Sequence, residues 1–260
     1  MEIYFDREKI GFDKVYDRYR KDEFYSPFRS TVPLLDLIKN GKEMLRGIVN
    51  ELGVVGEHTY HLEYRVKPQK GKGNVSHTDL WVETESHVLG IEAKWTERRY
   101  MKVGKWLQEG SNPDNREAVL EGWLDKLCCP STPHPGNDEM RDQIYQMVHR
   151  AASVYGCTDK QKPKTKKPIL AYVQFTEELQ PKKKSYIQQD LSSLWSVLGK
   201  PEKFPFYYVQ VLIERNEAFK HIEHLEKRSV ETGKKVKEAL SGNEPLFTYK
   251  DKRIVKIGEA

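Results

Sequence analysis

The chain has 260 residues, with a hydrophobic share of 37%, an aromatic share of 11% and a formal charge of +5. That length allows one large domain or two small ones, and the aromatic share argues against a chain too polar to build a core. The mild basic excess permits an acidic partner such as nucleic acid without demanding one. No stretch approaches the roughly 20 apolar residues that cross a bilayer, and MEIYFDREKIGF has no signal-peptide pattern, so a cytoplasmic protein with no membrane contact is expected. The cysteines are Cys128, Cys129 and Cys157. Their odd number fits a reducing compartment, and with His134 they match no usual zinc spacing, so inert thiols are expected.

Residues 1–30 are charged and aromatic and are expected to form short helices packed on the main domain. Ser30 or Thr31 ahead of Pro33 signals a helix start. Ile38, Leu45, Ile48, Val49 and Leu52 keep helical spacing from Leu34 until Gly53 and Gly56 stop it. TYHLEYRV (59–66) alternates as a strand, KPQKGKGN is a basic loop, and two further strands are predicted over 75–83 and 88–96. A polar insertion over about 102–137 is expected to hold a helix near 116–127. Asp138 is expected to cap a helix running to about Tyr155, with Ile144, Val148, Ala151 and Tyr155 on its apolar face.

ILAYVQF and FYYVQVLIE read as buried strands, with a crossover helix in LSSLWSVLG between them. The lysine-rich TDKQKPKTKKP and the lysines of 182–184 read as solvated loops. Residues 216–260 are expected as a charged helical extension. The order of helix, three strands, helix, strand, helix, strand predicts a mixed α/β domain over 31–215.

The two central strands carry the chemistry. With a tight turn at Glu85–Ser86, Leu80 faces Ile91 and Val82 faces Leu89, giving one apolar face. On the other face Asp79 then lies opposite Glu92, and His77 opposite Lys94. Two opposed carboxylates repel, so the pairing gains nothing for a plain sheet, although an ion-paired surface is the bland alternative. A magnesium or manganese ion between Asp79 and Glu92, with the Ala93 carbonyl as a further ligand, would turn repulsion into ligation. Lys94 shares the Glu92 face and would reach a water or phosphate beside the ion.

HTD with Asp79 and IEAK with Glu92 and Lys94 resemble the signature of the PD-(D/E)XK nuclease superfamily. The resemblance covers about Leu34 to Glu214, with Thr78 where that signature often has proline. It implies a restriction-endonuclease-like αβββαβ core, a central mixed sheet flanked by helices, and metal-dependent cleavage of nucleic acid. DNA is the expected substrate, RNA the other candidate, and a homodimer is left open. Asp79, Glu92 and Lys94 would be catalytic. The resemblance also implies a polar residue from the following helix, for which Gln143 in RDQIYQMVHR is the candidate, and an extra acid, for which Glu43 and Glu63 both stay open. Lys70 and Lys72 lead into the Asp79 strand, and Arg98 and Arg99 follow the Lys94 strand, so these four cations are expected to meet a phosphate backbone. The competing reading is a nucleic-acid-binding or assembly protein of the same fold without turnover.

Overall fold

The structure, a computed structural model, describes residues 2–109, 112–127, 137–156, 166–179, 185–226 and 228–259. The first elements are β1 (Glu2–Phe5), β2 (Glu8–Lys9) and the one-turn α1 (Val15–Arg18), then α2 (Thr31–Lys39) and α3 (Lys42–Glu51). Strands β3 (Thr59–Val66), β4 (Ser76–Glu83) and β5 (His87–Lys94) follow. Helices α4 (Val103–Gln108), α5 (Pro113–Leu127), α6 (Asn137–Met140) and α7 (Tyr145–Tyr155) lead to β6 (Lys167–Thr176). After it come α8 (Tyr186–Val197), β7 (Phe206–Arg215), α9 (Glu217–Glu223), α10 (Val230–Ser241) and β8 (Phe247–Lys256).

The strands form one mixed sheet in the order β2-β1-β3-β4-β5-β6-β7-β8. The β3–β4–β5 meander is antiparallel, whereas β5, β6 and β7 run parallel. Parallel neighbours need a crossover, and α7 and α8 supply the two. One sheet face packs under α2, α3, α9 and α10, burying Leu35, Ile48, Phe219 and Val236 against Leu80 and Ile91. The other packs under α5, α7 and α8, burying Trp123, Val148 and Leu191 against Trp81 and Tyr172. Each such side chain contributes about 1.5–3 kcal/mol relative to exposure, so both faces of the central strands are committed to core. No helix among the described residues is long and apolar enough to cross a membrane.

Four expectations change. The N-terminal stretch supplies strands as well as short helices, since β1 pairs in parallel with β3. The C-terminal stretch ends in β8, an antiparallel edge strand on β7 rather than a frayed helical tail. Its exposed Lys250, Asp251 and neighbouring charges disguise it, because an edge strand keeps one side in water. The single helix expected over 34–52 is two, broken at Asn40 and Gly41, where a Cβ on Gly41 would stand 2.7 Å from the Tyr249 ring.

The helix expected from Asp138 to Tyr155 is also interrupted. Val103 and Gly104 donate backbone N–H bonds to the carbonyls of Gln143 and Arg141, so these groups serve the start of α4 instead of a continuous helix. Gln143 therefore lies in a turn, and α7 begins after it. Cys128, Cys129, Cys157, His134, the lysines of 160–165 and those of 182–184 lie outside the described residues.

Candidate active site

The β4–β5 turn and register agree with the sequence: Leu80 pairs with Ile91 and Val82 with Leu89, and Thr84 closes the turn to His87. Beyond Leu80 the ladder ends, and the Asp79 carboxylate accepts a hydrogen bond from the Ala93 N–H at 2.8 Å. Residues Ser76–Thr78 of β4 pair with β3 alone. The cause lies in β3, where Glu63 has a φ of 53° in the middle of a strand. Before it, Tyr60 and Leu62 face the first core; after it, Tyr64 and Val66 face the second. The register places Asp79 across from Glu63, so the side-chain alternation turns over at both residues together. There β4 stays paired with β3 but parts from β5, and a cleft opens at the end of the hairpin.

That cleft has a volume of about 730 Å³ and is lined by Glu63, Asp79, Glu92, Lys94, Gln146 and Arg150 among others. Glu92 is only 2% exposed, and both its oxygens are engaged. Lys94 Nζ donates to Oε1 at 2.6 Å, Gln146 Nε2 to Oε1 at 2.8 Å, and Arg150 Nε to Oε2. Arg150 also donates to Ser76 Oγ at 2.6 Å, tying α7 to β4. The helix comes this close because residue 90 is glycine: a Cβ there would lie 2.2 Å from Val154 Cγ2 on α7.

Burial pushes the Asp79 carboxyl well above the usual range, and the neighbouring Glu92 charge pushes it further. Burial would raise Glu92 as well, but the Arg150 and Lys94 charges and hydrogen bonds outweigh it and hold Glu92 below its ordinary value. Burial would lower Lys94, yet Glu92, Asp79 and Tyr100 together hold it up, so the ammonium stays charged. The result is two neighbouring carboxyls of opposite habit, one drawn toward its proton and one fixed as an anion.

Asp79, Glu92 and Lys94 are thus brought together. Ala93 turns its side chain into the opposite core, as alternation requires. His77 does not face Lys94; it meets Glu63 at 3.2 Å. Glu63 lines the cleft, whereas Glu43 sits exposed on α3 beside Arg46. Gln143 is buried outside the cleft. The glutamine that reaches Glu92 is Gln146, one turn along, and Arg150 joins it. Gln146, His149, Arg150 and Ser153 form a polar stripe on an otherwise apolar helix, a signal present in the sequence but without meaning until Glu92 is placed beneath it.

The expected cations separate. Arg98 and Arg99 line the cleft with Arg29 and Arg228, although Arg99 is held by Asp190 at 2.9 Å. Lys72 borders a second, adjoining cavity. Lys70 pairs with Asp125 at 3.2 Å and Glu121 at 3.5 Å on α5, and lines neither.

The carboxylates of Glu63, Asp79 and Glu92 are hard oxygen donors, the chemistry a divalent cation such as magnesium accepts. Among the described residues no group of three or more His, Cys, Asp and Glu is already arranged around a metal position. A cation would compete with Lys94, Gln146 and Arg150 for Glu92, and would relieve the repulsion that keeps Asp79 close to its proton.

Comparison with curated proteins and with solved structures gives no match. A family model, Domain of unknown function (DUF6946), matches residues 12–212, which take in β3 to β6, every residue lining the cleft except Arg228, and most of β7. The chain belongs to that DUF6946 family.

Proposed function

We propose that the chain is a metal-dependent nuclease built on a restriction-endonuclease-like core, with α3, β3, β4, β5, α7 and β6 as its αβββαβ elements. The observation that carries this reading is the convergence of Asp79, Glu92 and Lys94 in one cleft rimmed by Arg29, Arg98, Arg99 and Arg228. Buried carboxylates beside a charged lysine are costly for stability alone, and such perturbed groups concentrate where chemistry is done. Glu63, Asp79, Glu92 and the Ala93 carbonyl would hold magnesium or manganese. A cation bound there would lower the pKa of a water and neutralise phosphate charge. Lys94, kept protonated, would hold a non-bridging phosphate oxygen or the leaving oxygen. Arg150 and Gln146 would fix the Glu92 carboxylate, and Arg98 would attract the backbone through its charge.

A second reading has one observation in its favour. Both oxygens of Glu92 are satisfied by Lys94, Gln146 and Arg150, a self-sufficient buried network that stands without any cation. This favours a nucleic-acid-binding protein of the same fold without turnover. Incubation with linear, nicked, branched and single-stranded DNA and with RNA, in magnesium, manganese or EDTA, separates the two. Cleavage of at least one substrate that EDTA abolishes is expected. Binding to these substrates with no cleavage under any cation would establish the second reading instead.

A further inference from the structure

A second cavity of about 530 Å³ adjoins the carboxylate cleft and shares His77, Tyr100, Met101, Gln146 and Arg150 with it. Its character differs. The walls carry Trp106, Trp123, Tyr145 and His149, with the Lys72 cation and the Asn74 amide along the loop that leads into β4. Trp106 and Tyr145 lie parallel with centroids 3.8 Å apart, and the Arg116 guanidinium sits 5.0 Å over the Trp106 ring while donating to the Trp106 carbonyl. These contacts lock the stack, with Tyr145 on one face of Trp106 and Arg116 on the other, and Tyr100 is the ring left exposed beside it. His149 donates to or accepts from Ser76 Oγ at 3.0 Å. Burial, with Arg150 and Lys94 nearby, holds it well below its ordinary pKa, so at neutral pH its ring is an uncharged hydrogen-bonding partner.

The ridge between the two cavities is made by Tyr100 and Met101. They are 47% and 37% exposed, two of the few large apolar side chains the described surface leaves open. Lys94 Nζ lies 5.0 Å from the Tyr100 ring, so this ridge touches the carboxylate cluster directly. A phosphate held at Lys94 would therefore have its own nucleoside within reach of the aromatic cavity. Aromatic walls, a few convergent polar groups and a volume of several hundred Å³ are the usual make-up of a site for a small planar ligand.

We propose that this cavity receives one nucleobase, turned out of its strand, while the adjoining phosphate lies at Asp79, Glu92 and Lys94. Rings take any base by its π-face, whereas Asn74 and His149 offer hydrogen bonds to its edge. The substrate class is thereby narrowed to nucleic acid with an unpaired or readily unpaired nucleotide, because extruding a base from a sound duplex costs a few kcal/mol. The proposal rests on the nuclease reading for its phosphate position, but its test requires no cleavage.

The test measures the affinity of the full chain, in EDTA, for a short labelled single strand and for a strand of equal length with every base removed. The intact strand should bind about tenfold more tightly, the scale of a single stacked base. Tyr100→Ala should lose most of that preference, read as the ratio of the intact-strand to the abasic-strand affinity, because Tyr100 also touches Lys94 and absolute affinities can shift. Trp106→Leu, checked for folding by circular dichroism, should do the same. Salt-dependent binding that is blind to base removal and to both variants would overturn the base pocket while leaving the phosphate cleft standing. No binding of either strand at low salt would overturn the nuclease reading, and this inference with it.

Discussion

Asp79 and Glu92 show how one neighbourhood can treat two similar groups in opposite ways. Glu92 is hydrogen-bonded to the Lys94 and Arg150 cations, whereas Asp79 feels those charges without bonding to them and has one backbone N–H and a negative neighbour. The folded pKa of Asp79 is raised, so its contribution to stability is fully present below the unfolded value near 3.9 and is lost as pH rises through the folded value. The folded pKa of Glu92 is lowered, so its contribution is present above the unfolded value and lost only as pH falls through the folded one. In EDTA, Asp79→Asn should therefore melt close to the parent at pH 4 and above it at pH 8. Glu92→Gln should melt below the parent at neutral pH by about 3–5 kcal/mol, because it strands Lys94 and Arg150 in the interior. Thermal unfolding of the three proteins across that pH range measures it; an Asp79→Asn protein that tracks the parent at every pH would contradict this electrostatic picture.

At the scale of elements, the site depends on how closely α7 lies on β5. Gly90→Ala should drive a methyl into Val154 and cost about 1–3 kcal/mol through overpacking. It should also shift Gln146 and Arg150 away from Glu92. Val154→Ala in the same chain should recover most of that loss, and the double-mutant cycle in chemical denaturation reads the coupling. Additive losses would mean that the two residues do not meet. The β4–β5 hairpin was legible in the sequence because period-two alternation, a tight turn and one apolar face all select the same register. The turnover at Glu63 was not legible: a left-handed residue inside a strand leaves no mark in a pattern of alternating residue types. Gln143 and Gln146 both read as helical from the apolar stripe, and only the hydrogen bonds from Val103 and Gly104 decide where α7 starts. β8 was hidden for a different reason, its charges being those of an edge strand rather than of a solvated helix.

Across the whole molecule, residues from both ends of the chain complete the single sheet, with β1 and β2 beyond β3 and β8 beyond β7. The meander at the centre is thus flanked on both sides, and where β4 parts from β5, beyond Leu80 and Ile91, it opens onto two joined cavities of unlike chemistry. The segment read as an insertion is part of this design, since α4 and α5 wall the aromatic cavity. The proposed nuclease activity makes Asp79, with Glu92 and Lys94, the centre of metal-dependent phosphodiester cleavage. Asp79→Asn is the substitution best suited to test it, because this variant should be at least as stable as the parent and any lost activity cannot be assigned to unfolding. The measurement is the manganese-dependent cleavage rate of the parent and of Asp79→Asn on the substrate the parent cuts best, with EDTA as the blank. The expected result is a parent rate well above the blank and an Asp79→Asn rate reduced at least a hundredfold, on the order of what loss of a metal-holding or electrostatic group removes. Equal rates for the two proteins would contradict the claim.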